Sequence, residues 1–586
     1  MNRKLTPRST VEYLRKEAKR WLKALRAHDA GARTRLERAL PEAPAEPGLR
    51  DVQHALAREY GFDGWTALRN ALAGVATFAG RDEAGDHAAL VSRFLEYAGP
   101  DWRVGGPSAR GRYRNAADRI LRRRPEIARE NIYTAVVCGE LEAVEKVLRE
   151  RPEAATTPGG PRGWPALLYL CNARLSHPPA MDNAVPIARL LLDHGADPNT
   201  SYPGGSAEIR YTAITSVIGE GEEEAAPHPK REELVALLLE RGAEPYDIQV
   251  LYNTHFRGDI LWFLKLIHEH SARRGRHADW ADPDWRMLDM HGYGCGARYL
   301  LGIAVTNNDL ALAEWLLEHG ASANAPSPPG WAVRKATRRS LHEEALLRGF
   351  TEMADLLLHH GATPGALPAE GMEAFVAACL RSDRDAMRTL VRRHPEYLRR
   401  NTALFEVIRL DRVDIVEYLL DLGAPIEIED EKRTRPLHVA VAHDAVRVAS
   451  LLIARGAEID PVETNWGNTP LDNAVYHQLP RMIALLSPHS RDIWNLVYTG
   501  NVERVRELLS EEPGLAKLVN DNGATLLMWL PDDEARAIAL VDLLLAYGAD
   551  KSLRDRNGLT AGDRAYLRGM EEVAGLLRSG NDTEER

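Results

Sequence analysis

The stretch Leu190-Leu191-Leu192-Asp193-His194-Gly195-Ala196 decides the fold, because its pattern returns along most of the chain. A leucine run closes the apolar face of a helix, two variable residues follow, and Gly-Ala ends the helix. Glycine lacks a Cβ and readily adopts the left-handed conformation that terminates helices. The same ending recurs at Gly242-Ala243, Gly320-Ala321, Gly361-Ala362, Gly423-Ala424, Gly456-Ala457 and Gly548-Ala549. The sequence therefore predicts a repeated helical unit.

The spacing and the openings of these units define the repeat. The shortest interval runs from Gly423 to Gly456, which is one period of about 33 residues. The clearest opening is Thr469-Pro470-Leu471, where threonine suits a helix N-cap and proline suits the first helical turn. Some units are predicted to stop at a proline instead of a glycine, at Pro152, Pro395 and Pro513. Two-helix units of this size bury their apolar faces only by stacking on one another.

These residues resemble the ankyrin repeat family, whose unit opens with Thr-Pro-Leu-His-x-Ala and closes with Leu-Leu…Gly-Ala-Asp-x-Asn. Ala196–Asn199 and Ala321–Asn324 match the close, and Arg435–Ala440 matches the opening. The resemblance covers roughly residues 125–580, or about thirteen units, several of them degenerate. It implies an all-α solenoid of stacked helix-turn-helix units. It also implies that His342 and His438 order the turn rather than act as bases.

A small basic helical module is predicted ahead of the array. One face of a helix over Thr10–Ala27 is apolar. The other face carries the basic patch Arg15, Lys16, Lys19, Arg20, Lys23 and Arg26. Arg58–Trp65 resembles the signature of a module found ahead of bacterial ankyrin arrays. The predicted boundaries are 1–75 for this module, 76–115 for a linker with a short helix, 116–580 for the array and 581–586 for a disordered tail.

Charge is unevenly distributed along the chain. Residues 1–38 carry +8, residues 39–102 carry −5 and residues 103–124 carry +7, so residues 1–124 carry +10. The whole chain carries −10, which leaves −20 for the rest. An acidic array favours a basic protein partner. The basic patch could instead bind nucleic acid or an anionic membrane surface, dock on the acidic array, or be a solvated helix face.

An enlarged, aromatic-rich unit is predicted at residues 247–300. Its histidines, His268, His270, His277 and His291, match no zinc template. Its glycines, Gly292, Gly294 and Gly296, follow no hydrophobic strand and so fail the context of a dinucleotide fingerprint. Trp280 and Trp285 either fill the core of this unit or line a contact surface, where aromatic residues are enriched.

Common signatures of catalysis and membrane insertion are absent from the sequence. It contains no Gly-x-Ser-x-Gly, no phosphate-binding Gly-x-x-x-x-Gly-Lys-Ser/Thr and no His-Glu-x-x-His. No apolar run approaches the length of about 18 residues that a spanning helix needs. Four cysteines without paired spacing indicate reduced thiols in a cytoplasmic protein. We expect no enzyme activity, no cofactor and no bound metal.

The sequence therefore predicts a non-catalytic scaffold that binds a protein partner on the concave and tip surface of an ankyrin array. The candidate contact residues are Tyr202, Ser327, Glu463, Trp466, Arg554, Trp280 and Trp285. Two alternatives stay open. One is tethering to nucleic acid or an anionic surface through the basic N-terminal region. The other is an enzyme or small-molecule sensor centred on residues 250–300.

Overall fold

The computed structural model describes residues 11–27, 29–41, 43–44, 47–59, 65, 83–99, 107–203, 209–219, 226–254, 260–282, 285–288, 296–325 and 339–578. Their secondary structure is mostly helical, as predicted, with one two-stranded sheet. The chain divides into two compact units. The split unit contains residues 1–93 and 493–586, and the central unit contains residues 94–492.

The central unit is a series of short helices in pairs. Its α-helices are Pro107–Arg123, Ile132–Cys138, Leu141–Glu150, Ala166–Asn172, Pro178–Asp182, Ala184–Asp193, Ala213–Ile218, Arg231–Glu240, Ile248–Thr254, Leu261–Arg273, Gly296–Asn307, Leu310–Glu318, Leu341–Arg348, Thr351–His359, Gly371–Leu380, Arg384–Arg393, Asn401–Arg409, Val413–Asp421, Pro436–Ala442, Val446–Ala454, Pro470–Tyr476 and Pro480–Leu486. Its 3-10 helices are Pro125–Arg129, Pro152–Ala155, His277–Ala281, Arg286–Leu288 and Pro395–Arg399. First helices of successive pairs contact one another, as Asn401–Arg409, Pro436–Ala442 and Pro470–Tyr476 do.

The split unit combines N-terminal and C-terminal segments. Its α-helices are Val11–Arg26, Ala30–Ala39, Leu49–Glu59, Glu83–Tyr97 (whose end belongs to the central unit), Ile493–Thr499, Val502–Glu511, Glu534–Ala546, Ala561–Leu567 and Glu571–Arg578. Its 3-10 helices are Pro513–Lys517 and Leu526–Met528. Within it, the Arg93 guanidinium lies 5.8 Å from the centroid of the Tyr566 ring.

The predicted helix stops are confirmed. All seven Gly-Ala glycines are left-handed, with φ between 83° and 102°. At the first of them, the N–H of Ala196 donates to the carbonyl of Leu191 at 3.0 Å. Where proline replaces glycine, a 3-10 helix begins at Pro152, Pro395 or Pro513. Both residues end the helix. Glycine does so by adopting a left-handed conformation, and proline does so because it cannot continue the helical hydrogen-bond pattern.

A second left-handed position lies between the two helices of each of nine pairs. Glycine occupies it at Gly139, Gly349, Gly500 and Gly569. Other residues occupy it at Asn308, Ser382, Asp411, Asp444 and Gln478, with φ between 47° and 60°. In every case the next residue donates its N–H back to the fifth residue before it, as Ala445 does to Ala440. The turn requires this conformation, whose steric cost without glycine is about 1–2 kcal/mol.

The N-terminal module has a small hydrophobic core, to which the apolar face of its first helix contributes. Trp21 is buried with Leu36, Val52 and Leu56. Its Nε1 donates to the carbonyl of Ala32 at 3.0 Å. The sequence prediction missed the helix Ala30–Ala39, which supplies Leu36. Trp65 packs at the edge of the cluster, whereas residues 60–64 of the Arg58–Trp65 signature lie outside the described residues.

A small hairpin interrupts the helical pattern of the central unit. Strand Ser201–Pro203 pairs antiparallel with Arg210–Thr212, and Tyr202 faces Tyr211 in the register. Thr212 then caps the helix Ala213–Ile218, since its side chain accepts the N–H of Thr215. The hairpin therefore takes the place of a short tip turn in this repeat.

Candidate interaction surface at the repeat tips

Four of the tips are joined to the next tip by a polar side chain four residues after the Gly-Ala glycine, at Asn199, Asn324, Glu427 and Asp460. Asn324 Nδ2 donates to the carbonyl of Gly361 at 2.8 Å, and its Oδ1 accepts the N–H of Thr363 at 2.8 Å. Equivalent acceptor bonds join Asn199 to Glu244, Glu427 to Glu458 and Asp460 to Arg491. The backbone groups in these bonds lie just beyond a helix end and have no hydrogen-bond partner within the helix. The bonds satisfy them and fix the spacing between neighbouring tips.

Within a tip, one acceptor side chain holds the loop closed. Asp430 Oδ1 accepts the N–H groups of Lys432 and Thr434, both at 2.9 Å. The same pattern of acceptance from residues two and four further on is made by Asn520 and Asp555. Backbone bonds also link adjacent tips, since Thr464 donates to the carbonyl of Lys432 at 2.8 Å. The tips are therefore preformed.

Glu463 plays this anchoring part in the tip that carries Trp466. Its side chain is 5% exposed, and Oε1 accepts the N–H of Trp466 at 2.8 Å and that of Asn468 at 3.2 Å. Burial raises the pKa of Glu463, but the backbone N–H bonds outweigh that effect and hold the pKa below its usual value. The carboxylate therefore stays charged and holds the loop, which is a different role from the predicted contact with a partner.

Trp466 is the most exposed large apolar side chain among the described residues. Its exposed fraction is 80%, and Val462 on the same loop is 50% exposed. Arg554, on a tip of the split unit, is also exposed, and its guanidinium donates to the carbonyl of Gly558 at 2.7 Å. Ser327, the remaining predicted tip contact, lies outside the described residues.

Tyr202 lies inside the fold rather than at an exposed tip, which corrects its predicted placement. It is 2% exposed and stacks on Trp164 with ring centroids 4.4 Å apart. Tyr211, its partner across the hairpin, also packs against Tyr202, with ring centroids 5.3 Å apart. The hairpin turns the chain inward here, so the ring fills space between repeats.

The two candidate tryptophans of the enlarged unit, Trp280 and Trp285, are buried, which favours the core-filling alternative for them. Trp285 is completely buried and lies 4.9 Å from Trp280, centroid to centroid. His268 meets Trp280 edge-on at 4.9 Å. Burial is the larger cause and the charge of the nearby His319 the smaller cause of a lowered pKa at His268, which favours its neutral form.

Only some of the candidate histidines and glycines of this unit lie among the described residues. His270 is buried, whereas His291, Gly292 and Gly294 lie outside the described residues. Across the described part of the chain, no group of three or more His, Cys, Asp or Glu side chains is placed to hold a metal ion. Within the same part, no helix combines the length and apolarity needed to cross a membrane.

The histidines of the repeat opening have structural partners. His438 is buried, and its Nδ1 accepts the N–H of Arg435 at 3.2 Å. His342 Nδ1 accepts the N–H of Gly365 at 3.0 Å. Burial lowers the pKa of His438, so the ring stays neutral and able to accept. This arrangement agrees with the turn-ordering part that the family resemblance implied.

The basic patch lies on the helix Val11–Arg26. Lys19, Lys23 and Arg26 have exposed side chains. The side chains of Arg15, Lys16 and Arg20 lie outside what the structure describes. The exposed members form a cationic stretch on one helix of the N-terminal module.

Comparison with known proteins gives the same class of fold. Residues 437–486 match the family described as ankyrin repeats (many copies). A stretch of 157 residues is 29% identical to the B-cell lymphoma 3 protein homolog of Mus musculus, covering 27% of this chain and 30% of that protein. A stretch of 69 residues is 41% identical to potassium channel KOR2 of Oryza sativa subsp. japonica, covering 12% of this chain and 10% of that protein.

A solved structure of an ankyrin repeat domain from Acinetobacter baumannii AYE is 24% identical, with a TM-score of 0.25, covering 30% of this chain and 97% of that one. The chain spans less than a third of the length of the curated relatives named above. The repeat geometry and the family match together show that the chain contains ankyrin repeats. Ankyrin repeats are generally non-enzymatic protein–protein interaction modules.

Proposed function

We propose that this protein is a non-catalytic scaffold that binds a protein partner on the tip and concave surface of its ankyrin array. The observation that carries the proposal is the exposed indole of Trp466 on a loop anchored by Glu463. Tryptophan is enriched among the residues that dominate binding energy at interfaces. A loop that is already ordered loses little entropy on binding, so more of the contact energy appears as affinity.

The charge of the chain supports a basic partner. Residues 125–586 carry −20, and complementary charge accelerates encounter and disfavours wrong partners. Three buried free thiols, Cys138, Cys171 and Cys379, support a reducing cytoplasmic setting. Burial raises the pKa of Cys171 and of Cys379 to about 12, which keeps both thiols protonated.

The competing proposal, tethering through the N-terminal cations, is supported by the exposure of Lys19, Lys23 and Arg26. Affinity capture from native lysate, eluted with rising salt, separates the two. The bait is the full-length protein, compared with a variant in which these three residues are changed to glutamate. Equal capture of the same proteins by both baits supports the scaffold. Capture that needs the three cations and disappears after nuclease treatment would replace it with nucleic-acid binding.

A further inference from the structure

The tip loop that carries Trp466 is one residue longer than its counterparts. From anchor to helix N-cap, the regular loops run from Asp430 to Arg435, from Asn520 to Thr525 and from Asp555 to Thr560. The Trp466 loop runs from Glu463 to Thr469. The added residue lies within a loop whose closing hydrogen bonds are otherwise kept.

The left-handed residue of each loop identifies which residue is added. It is the third residue after the anchor in the regular loops, at Arg433, Gly523 and Gly558. In the longer loop it is the fourth, at Gly467. Counting from both ends therefore assigns the added position to Trp466.

The anchor has lengthened together with the loop. Glutamate at 463 is one methylene longer than the aspartate or asparagine of the regular loops. Its carboxylate still accepts N–H groups from Asn465, Trp466 and Asn468, so the insertion costs no closing bond. The neighbouring tip supports the same loop, since Lys432 Nζ donates to Asn465 Oδ1 at 2.7 Å.

The loop displays no charge. Among residues 462–468 the single ionisable side chain is Glu463, which is buried and engaged with the backbone. What remains on the surface is the indole of Trp466, the side chain of Val462 and the uncharged residues between and after them. In a chain with 27% charged residues, this loop presents an indole and a valine among uncharged polar side chains, on a backbone that is already closed by hydrogen bonds.

We propose that residues 462–468 form a docking site whose occupant is an apolar segment of a partner protein, packed on the Trp466 indole and Val462. The inference rests on the proposed scaffold function and names the chemistry of one contact. Because the exposed side chains of residues 462–468 are themselves uncharged and Lys432 of the neighbouring tip is the cation bonded to the loop, we expect affinity at this site to depend only weakly on salt, although the net charge of the array affects encounter.

Selection of a displayed library of random dodecapeptides on the full-length protein tests this docking site. Trp466→Ala is the test variant. Tyr476→Ala is the matched control, because Tyr476 is also an exposed aromatic of this repeat but lies at the other end of the helix Pro470–Tyr476. We expect enriched peptides to be apolar and to lose at least about tenfold in affinity with Trp466→Ala but not with Tyr476→Ala. Their affinity should change little between about 0.05 and 0.5 M NaCl.

Two results would overturn the docking site. Peptides that bind the Trp466→Ala variant as tightly as the wild-type protein would place recognition elsewhere on the array and leave the scaffold proposal standing. A library that yields no binder to the wild-type protein would overturn the docking of an apolar segment, whereas the scaffold proposal is decided separately by the lysate capture described above. Circular dichroism and melting of the Trp466→Ala variant show that any loss of binding is not a loss of folding.

Discussion

Asn324 joins two repeats with one side chain, because its Nδ2 donates to the carbonyl of Gly361 at 2.8 Å while its Oδ1 accepts from the following turn. Asn199 repeats the arrangement, with Nδ2 donating to Gly242 at 3.1 Å. An amide is the side-chain group that both donates and accepts at this reach. Asn199 and Asn324, each four residues after a Gly-Ala glycine, therefore hydrogen-bond neighbouring repeats to each other in the central unit.

Replacing Asn324 by aspartate removes the donor and places a carboxylate against the Gly361 carbonyl. We expect the free energy of unfolding to fall by about 1–2 kcal/mol. Urea unfolding of the full-length protein measures the change. Asn522→Asp is the control, because Asn522 is exposed and bonds the neighbouring tip through its backbone. Equal effects of the two substitutions would show that the side-chain amide does not join the repeats.

Glycine at the second left-handed position should stabilise the repeat where the present side chain makes no bond. Asp444 has φ of 47° and an exposed side chain. Asp444→Gly should raise the free energy of unfolding by about 0.5–1 kcal/mol, since the steric cost exceeds the added entropy of glycine in the unfolded chain. Thermal melting measures it.

Asp411 provides the opposite case at the equivalent turn. Its carboxylate accepts from Arg447 Nε at 2.7 Å and from the N–H of Val448 at 3.0 Å. In Asp411→Gly the loss of these bonds offsets the relief of strain, so no gain in melting temperature is expected. A gain equal to that of Asp444→Gly would mean that backbone strain alone determines stability at these turns.

Leu419 tests how cooperatively the repeats unfold. Its side chain is 1% exposed in the helix Val413–Asp421. Leu419→Ala should cost about 2–5 kcal/mol, mostly as a cavity. In a stacked array each repeat contacts its neighbours alone, so we expect the loss near this helix first. Hydrogen exchange measured by mass spectrometry locates the loss of protection. An exchange profile identical to that of the wild-type protein would show that Leu419 does not contribute to the core.

His228 makes stability depend on pH. It is buried, and its Nδ1 accepts the N–H of Lys230 at 3.0 Å. Burial, then the charges of Arg174 and Lys230, lowers the pKa of His228 to about 3. Between that value and the unfolded value of about 6.5, the unfolded chain binds the extra proton, so stability rises with pH across this window.

Lowering the pH from 7 to 5 should therefore cost about 2 kcal/mol through this one histidine. His228→Asn keeps an acceptor but does not titrate. Urea unfolding of both proteins at the two pH values isolates the contribution, because all other groups cancel in the comparison. Parallel pH dependence in the two proteins would show that His228 does not remain neutral in the fold.

Local residue patterns were sufficient for the helix ends but not for burial. Gly195 and Pro152 end their helices as predicted. The lack of a Cβ in glycine and of an N–H in proline changes the local backbone directly, without contacts from distant residues. The burial of Tyr202 depends instead on a hairpin, which carries this ring onto Trp164, a residue distant in the sequence. Its burial could not be read from its position after a Gly-Ala turn.

The candidate contact surface shows the same division. Glu463 and Trp466 are close in sequence and both belong to a tip, yet one is buried as an anchor and the other is exposed. Alignment of this loop with Asp430–Arg435 would have revealed the added residue from sequence alone. Val462 was missed, because an isolated valine before a turn is not distinctive in a chain that is 44% hydrophobic.

The anchored tip separates the residue that holds the loop from the residues that it presents. Glu463 and the backbone bond from Thr464 to Lys432 keep the loop closed, whereas the indole of Trp466 takes no part in that closure. Changes at position 466 can therefore alter specificity with little penalty in folding. Evolution or protein engineering can therefore introduce a new recognition residue at this tip without rebuilding the rest of the array.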